Sequence, residues 1–559
     1  METQRAFTAV ILSLIILLGY QYFFMPAPPE VPATAPQSEQ TQSTSTPPAN
    51  PATANPVAAA PSSALSPETT TTPQTEQVQL SGKDIPIETA LYRATVSENG
   101  GVIKSFTLKN YKETSAKDAP PKELVFTSSP NKMPLVFAWG NGMPAQPQQY
   151  KATQSAVTTA GGNKANLTMT AMPSPGLNVT RSMTFDDNSY QINLELVVTN
   201  NSAQALQGAP FLESSNKPFS TVPKNAQGLF TGPAVYLDHV LQEVKIDTLK
   251  KEGPKTLNGL LSWAAYEDSY FLCGIIPQPP GKGTVQLALS GEDQVTSTIS
   301  GEQEIIPPGG KKTYQYTIFM GPKKLSILKE TGFELDKIIN FGWFDVIAKP
   351  TLFLLNFLYK YLHNYGVAII LVTVLFKLLF WPISHKGMKS MKTMQKIQPK
   401  MAKLREKYAD DKERLNQEMM TLYKTYKINP LGGCLPMVLQ IPVFFSLYKV
   451  LLQTIELRHA PFMLWMTDLS APDRLAIGFD IPGLGGIPVL TLLMGGTMFL
   501  QQKMTPSTGD PTQAKVMMFL PVIFTFMFLN FASGLVLYWF VNNLLSIGQQ
   551  YFINRSVEP

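Results

Sequence analysis

The stretch that decides the fold is Gly366–Ile383, GVAIILVTVLFKLLFWPI, in which Lys377 is the single charged residue. At about 1.5 Å per residue, a helix of this length measures about 27 Å, close to the roughly 30 Å hydrocarbon core of a bilayer. The next segment, Ser384–Lys427, carries twelve basic and five acidic residues, a net charge of +7. Basic loops stay on the cytoplasmic side, so the sequence predicts a transmembrane helix followed by a cytoplasmic segment.

Five further apolar stretches predict a six-span membrane protein. The loop at 456–486 carries only Arg458 and Arg474 as basic residues, which indicates an external position. Counting spans outward from the basic segment then places both termini in the cytoplasm. The additional stretches are Ala6–Met25, Cys434–Thr454, Ile487–Gln502, Val516–Phe531 and Gly534–Ile547.

Between the first two spans the pattern changes twice. Residues 26–80 are rich in Pro, Thr and Ser and cannot bury a core, which predicts an extended tether. From there to about residue 330, apolar and polar residues alternate, as in Tyr190–Leu196 and Tyr314–Ile318, and Gly-containing turns separate the runs. Alternation of period two is typical of half-buried strands, so we predict a large antiparallel β sandwich outside the membrane.

Composition excludes several classes of function. The 559 residues include two cysteines and four histidines, too few for a disulfide scaffold, a four-cysteine zinc site or a His-rich metal centre. No phosphate loop, Ser/His/Asp set or HExxH motif is present in a suitable context. We therefore expect no catalytic residues, no metal and no cofactor, and we predict that the chain is not an enzyme.

Lys377 is the strongest candidate for a functional residue. A lone cation in hydrocarbon costs about 2.5–3.5 kcal/mol on insertion scales and usually marks a functional site. We predict a polar cavity that opens to the cytoplasm. Snorkelling of the lysine stem to the cytoplasmic headgroups is the alternative. The other predicted lining residues are Thr373, Gln440, Asn542 and Asn543.

The basic segment has the pattern of a helical hairpin. Asp410 and Asp411 are placed to cap its second helix. A methionine stripe on the first helix is suited to varied apolar guests in transit, but packing against the second helix is the interpretation we favour for most of these residues. The surrounding lysines suit anionic lipid headgroups or ribosomal RNA. The stripe includes Met388, Met391, Met394 and Met401.

These patterns divide the chain into eight predicted segments. They are a transmembrane anchor at 1–25, the tether at 26–80, the β domain at 81–330, a connecting and interfacial helix at 331–365, a second transmembrane helix at 366–383, the hairpin at 384–430, four further transmembrane helices at 431–550 and a short tail at 551–559. The interfacial helix is predicted from Leu352–Leu362, where Asn356, Lys360 and His363 fall on one face.

Short motifs in the C-terminal half give a family resemblance. They are Asn429–Cys434 (NPLGGC), Gln440–Pro442 (QIP), Pro461-Phe462 followed by Trp465, Asp468–Ser470 (DLS) and Ser533–Tyr538 (SGLVLY). With these motifs, the chain resembles the YidC-type membrane protein insertases of Gram-negative bacteria. The resemblance implies five core helices around a hydrophilic groove, closed outside, that receives nascent membrane proteins.

The same resemblance implies particular roles and partners. The family usually has an arginine at the position of Lys377. Lysine lacks the planar guanidinium group, which can donate two parallel hydrogen bonds to one carboxylate. Ile441, Pro442, Phe444 and Val522 correspond to the helices along which substrates slide. Expected partners are nascent membrane proteins, the Sec translocon, anionic lipids and, through the hairpin, the ribosome, but not DNA.

Two other functions stay open from the residues alone. An anion transporter or channel would use Lys377 as its anion site. A membrane-anchored carbohydrate-binding protein would use the β domain, which contains one histidine, His239, and no carboxylate pair at a recognisable spacing.

Overall fold

The structure is a computed structural model that describes residues 82–127, 132–143, 147–159, 161–219, 230–426, 435–478, 481, 484–505 and 511–556. The predicted anchor at 1–25 and tether at 26–80 lie outside the described residues, as does Cys434. The other cysteine, Cys273, is buried in the β domain.

Nineteen strands are described between Asp84 and Pro322. They are β1 Asp84–Glu88, β2 Tyr92–Ser97, β3 Ile103–Lys112, β4 Pro121–Glu123, β5 Val136–Gly140, β6 Lys151–Ala152, β7 Val157–Thr158, β8 Lys164–Ser174, β9 Leu177–Asp186, β10 Gln191–Asn200, β11 Leu206–Asn216, β12 Gly232–Leu237, β13 Val240–Glu243, β14 Lys255–Glu267, β15 Phe271–Gln278, β16 Gly281–Leu289, β17 Val295–Ser300, β18 Glu304–Ile306 and β19 Lys311–Pro322.

Ten α-helices are described, most of them C-terminal to the strands. They are α1 Ile246–Glu252, α2 Leu325–Thr331, α3 Asp345–Leu362, α4 Tyr365–Leu379, α5 Trp381–Lys407, α6 Lys412–Thr425, α7 Leu435–Gln453, α8 Val489–Met504, α9 Pro511–Phe528 and α10 Ser533–Ser556. Short 3₁₀ turns lie at Leu335–Ile338, Gly342–Phe344 and Ile455–Leu457.

The strands form two sheets. The smaller has five strands in the order β4-β3-β2-β1-β7, and the larger has fourteen, with the main path β18-β11-β17-β16-β14-β15-β19-β10-β9-β8-β6. Strand β12 pairs with β13 and β14, and β5 pairs with β11. Every described pair is antiparallel except β1 with β7. The prediction of a large β-sheet domain is confirmed.

The alternating sequence accounts for the central strands. In β10, Ile192, Leu194, Leu196 and Val198 are each at most 1% exposed, while the residues between them are only partly buried or exposed. Such a strand buries one face and turns the other outward. Gly309, with φ of 68°, gives the turn between β18 and β19 a backbone conformation that side chains with a Cβ rarely adopt.

The predicted single helix at 366–383 is divided in the structure. Helix α4 ends at Leu379, and α5 begins at Trp381 after a bend of 64°. Pro382 explains the break, because proline lacks the N–H that would continue α4 and is favoured in the first turn of a new helix. Within the described residues, no helix is by itself long and apolar enough to cross a bilayer. Helices α4 and α5 have the required length and apolar composition only together, as a bent pair.

Helix α3 exposes an aromatic face. Phe353 and Tyr361 are 73% and 66% exposed, and Phe357 between them stacks on Phe353 and meets Tyr361 edge-on. The polar face predicted from the sequence is only partly free, because Asn356 accepts a hydrogen bond from the Tyr365 hydroxyl at 3.0 Å. The helix therefore packs through Asn356 and presents aromatic rings outward, an arrangement that suits a membrane interface.

Candidate functional site

A pocket lies where α4, α5, α7 and α10 meet. Its unfilled space is about 460 Å³, open solvent at its mouth included. The described lining combines polar side chains with aromatic and aliphatic ones, and none of these lining residues is acidic. The lining consists of Thr373, Phe376, Lys377, Phe380, Ile383, Ser384, Gln440, Val443, Tyr538 and Asn542.

The Lys377 ammonium group is held by a hydroxyl. Its Nζ donates to Ser546 Oγ at 2.6 Å, and Ser546 Oγ in turn donates to the carbonyl of Asn542 at 2.8 Å. Among the described residues, Lys377 has no carboxylate within ion-pair distance. The positive charge is therefore oriented but not neutralised, which leaves it available to an acidic or polar guest.

Two other predicted residues contribute to the lining in different ways. Thr373 is buried, and its hydroxyl donates to the Ile369 carbonyl of its own helix at 2.7 Å. Gln440 lies in the lining together with Tyr538 of α10. Gln440 thus offers the pocket an amide from α7, whereas the Thr373 hydroxyl is already engaged by its own backbone.

Asn543, also predicted for the lining, lies outside this pocket. It is buried against α8, where its Nδ2 donates to Thr497 Oγ1 at 3.5 Å. Two helical turns further along α10, Gln550 Nε2 donates to the Met504 carbonyl at 2.6 Å. These contacts form a polar edge of α10 that fastens it to α8.

A second polar edge of α10 faces the pocket, and we did not predict most of it from the sequence. Below Ser546, the amide oxygen of Gln549 accepts a hydrogen bond from Ser384 Oγ at 3.1 Å. Ser384 and Gln549 are both buried. Asn542, Ser546 and Gln549 are spaced at i, i+4 and i+7. This spacing of polar residues within an apolar helix is the sequence pattern that could have indicated the second polar edge.

The predicted slide residues fall into two groups. Ile441 on α7 and Val522 on α9 are 46% and 47% exposed, so both present apolar surface. Phe444 instead packs edge-on against Trp539, with ring centroids 4.7 Å apart. Pro442 is half-buried, and its carbonyl accepts a hydrogen bond from Ser446 at 2.7 Å.

The predicted hairpin forms as two helices, α5 and α6. Met394 and Met401 are buried together with Ile397 and pack against Met419, Leu422 and Tyr423 of α6. Packing against the partner helix, the interpretation we favoured, therefore accounts for these two methionines, while Met388 and Met391 are half-buried. Asp411 caps α6 by accepting from the Arg414 N–H at 3.0 Å, and Asp410 is exposed.

Comparisons with known proteins agree over nearly the whole chain. Residues 84–354 match the family described as YidC periplasmic domain, and residues 357–559 match the family described as 60Kd inner membrane protein. The membrane protein insertase YidC of Syntrophus aciditrophicus is 43% identical over 99% of both chains, and that of Pelobacter propionicus is 42% identical over 99% of both. The chain belongs to the YidC family of membrane protein insertases. A solved structure of an active YidC insertase covers 84% of this chain and 93% of its own at 18% identity, but its TM-score of 0.36 is too low to support a conclusion.

Membership of the YidC family confirms the function predicted from the sequence. The protein is an inner-membrane insertase with a periplasmic domain, and YidC insertases are not enzymes. An anion transporter and a carbohydrate-binding protein, the two alternatives, are not favoured. Among the described residues, no group of three or more His, Cys, Asp or Glu side chains is placed to bind a metal ion.

Proposed function

We propose that this insertase receives a short polar segment of a nascent inner-membrane protein in the Lys377 pocket, and that it also helps the client to fold. The observation that carries the proposal is the ammonium group of Lys377, which Ser546 holds and which has no acidic partner among the described lining residues. An acidic or polar client segment gains a partner there that the hydrocarbon does not offer. Thr373, Gln440 and Asn542 belong to the same pocket, and Asn543 supports it by holding α10 on α8.

Hydrophobic transfer drives the step in this proposal. While the polar segment occupies the pocket, the adjoining apolar segment of the client enters lipid, at a gain of about 25 cal/mol for each Å² removed from water. The membrane potential contributes about 2.3 kcal/mol per 100 mV for each charge that crosses. Neither contribution requires ATP.

The exposed apolar residues of α7 and α9 form the proposed slide. Ile441 and Val522 present apolar surface to a client helix. Behind Ile441, Pro442 and Phe444 shape helix α7, where Phe444 packs against Trp539. Short apolar contacts of this kind allow movement along the surface because they are not directional.

The proposed topology has six transmembrane segments, five of which form the core around the pocket, with both termini in the cytoplasm. The charge asymmetry of the loops supports it, because the hairpin segment carries +7 whereas the loop at 456–486 has two basic residues. The bent pair α4 and α5 supplies the span that leads into the hairpin.

The hairpin is the proposed contact for cytoplasmic partners. Lys400, Lys403 and Lys407 of α5 line an open cleft against α6, and Glu418 is the single acidic residue among the described lining residues. Such a cleft suits phosphate groups of anionic lipids or of ribosomal RNA. The Sec translocon is a further proposed partner, on the family resemblance alone.

Crosslinking of a stalled client tests the pocket and the slide together. A photoreactive amino acid is placed at Ile441 or Val522, with Phe499 of α8, also exposed, as the matched control position. We expect crosslinks to the apolar segment of a single-span client from the first two positions and not from the third. Equal crosslinking from all three positions would refute the slide. Loss of protease-protected client with Lys377→Ala, while the variant stays folded, is the expected result for the pocket.

A further inference from the structure

The chain between α7 and α8 covers the outer ends of two pocket helices. We call residues 455–471 the outer loop. The amide of Asn364, which caps α4, donates to the Phe462 carbonyl at 2.9 Å. The N–H groups of Ser533 and Gly534, at the start of α10, donate to the Ala471 and Leu469 carbonyls at 2.7 and 2.9 Å. The outer loop is therefore fastened to the first turns of both α4 and α10.

The fit of the outer loop against α4 is close. A Cβ atom at Gly366 would come within 2.0 Å of the Phe462 ring, so only glycine allows this approach. Lys377 and Ser546 lie further along α4 and α10, toward the hairpin. The outer loop therefore closes the end of the bundle opposite the hairpin.

The other side of the outer loop contacts the β domain through one arginine. Arg458 Nη2 donates to the Glu113 carbonyl at 2.9 Å. Its guanidinium carbon lies 5.3 Å from the ring centroid of Phe271 and 5.9 Å from that of Tyr270. Both distances are within the range of cation–π attraction.

The site that receives Arg458 is built rigidly into the β domain. Asp268 accepts hydrogen bonds from the N–H groups of Tyr270 and Phe271 at 2.8 and 2.7 Å, which fixes the turn between β14 and β15. Lys122 donates to both carboxylate oxygens of Glu113, at 2.8 and 2.7 Å, and its Nζ lies 5.7 Å from the Phe271 ring. Arg458 has no carboxylate within ion-pair distance among the described residues, so the carbonyl and the rings are what hold it.

We propose that Arg458 is a positioning residue that fastens the outer loop to the periplasmic β domain, so that this domain keeps the outer end of the pocket closed during insertion. The inference rests on the function proposed for the Lys377 pocket. It gives the β domain a specific role, that of a rigid anchor for the loop which covers α4 and α10. A merely tethered β domain would need none of these contacts.

Hydrogen exchange on the full-length protein in proteoliposomes tests the attachment. Arg458→Gln removes the guanidinium and leaves the loop residues otherwise intact. We expect about tenfold faster exchange in the outer loop and, because the contact is mutual, faster exchange at residues 268–272 of the β domain as well. Phe271→Leu, made from the opposite side, is expected to give the same two changes.

Arg474→Gln is the matched control. Arg474 lies on the same connection but donates to the Leu484 carbonyl and to Asn530 Oδ1, at 2.6 and 3.0 Å, and not to the β domain. We expect its effect to stay near residues 474–488. If Arg458→Gln leaves exchange at 268–272 unchanged, or if Arg474→Gln alters it equally, the attachment is refuted. Arg458→Lys, which keeps the charge, provides the comparison if the glutamine variant does not fold.

Client insertion, scored by protease protection, tests the positioning role. We expect Arg458→Gln to reduce the insertion rate several-fold and Arg458→Lys to restore part of it. Faster exchange with an unchanged insertion rate would overturn the positioning role. The Lys377→Ala variant separates the two proposals, because its failure to affect insertion would refute the pocket while the exchange result for Arg458 would stand unaltered.

Discussion

Replacement of Lys377 by methionine is expected to stabilise the protein and to impair insertion. Methionine keeps an unbranched side chain of similar length but removes the ammonium group. Ser546 then loses its donor, yet its own hydroxyl continues to donate to the Asn542 carbonyl. The substitution therefore removes a buried charge without leaving a buried donor unpaired.

The expected size of the stability change follows from two opposing contributions. A lysine in an apolar span costs about 2.5–3.5 kcal/mol. One hydrogen bond to a charged group, here Lys377 to Ser546 at 2.6 Å, returns about 1.5–3 kcal/mol. The difference predicts that Lys377→Met raises the free energy of unfolding by about 1 kcal/mol. For a domain of about 200 residues this corresponds to a rise in Tm of about 2–4 °C.

Two measurements on the same preparations check this prediction. Thermal unfolding in detergent gives the stability, and protease protection of a single-span client in proteoliposomes gives the insertion rate. Lys389→Met is the matched control, because Lys389 is an exposed lysine on α5, outside the pocket. We expect the control to change neither quantity.

Opposite signs for stability and activity are the outcome that supports a functional charge, since functional residues often cost stability. A Lys377→Met variant that is less stable than the parent would show that the lysine supports the fold. A variant that is more stable and equally active would show that the charge only snorkels to the headgroups.

Three further predictions concern other parts of the molecule. Gly366→Ala is expected to destabilise the bundle by about 1–3 kcal/mol in thermal unfolding, because its Cβ would meet Phe462, and Phe462→Leu is expected to relieve part of the loss. Asp411→Ala, which removes the cap of α6, is expected to cost about 1 kcal/mol and to increase proteolysis of the hairpin. Burial raises the pKa of Glu267 from near 4.5 to about 7, so the folded state holds this proton longer than the unfolded state. The contribution of Glu267 to the stability of the β domain is therefore expected to fall as the pH rises from about 4.5 to about 7. Urea unfolding of Glu267→Gln beside the parent protein measures this contribution, because the variant lacks only this part of the pH dependence.

The β domain and the hairpin were predictable because their signals are local and repeated. Alternation in β10 and β19 defines which face is buried, and the two strands pair directly, with Leu194 opposite Tyr316. The spacing of Met394 and Met401 similarly defined the buried face of α5. What the sequence did not predict was the division at Pro382, because apolar character continues across the bend from α4 into α5.

The pocket was predictable only in part, for a physical reason. Lys377 stands out because a charge in an apolar segment is costly, whereas serine and glutamine are tolerated in buried helices and attract no attention singly. Ser546 becomes significant only when the fold places it 2.6 Å from Lys377. Asn542 and Asn543 are adjacent in the sequence, yet consecutive residues on a helix point about 100° apart, so they face different neighbours.

The contact of Arg458 with the β domain shows the same limit more sharply. Arg458 and Glu113 are separated by 345 positions, and the acceptor is a backbone carbonyl, which no side-chain pattern can reveal. The sequence assigned Arg458 only to a loop poor in basic residues, as a small contribution to topology. In the folded chain Arg458 is held by the Glu113 carbonyl and by the rings of Tyr270 and Phe271. Charge counting therefore predicts on which side of the membrane the outer loop lies, but only the fold shows that Arg458 contacts the β domain.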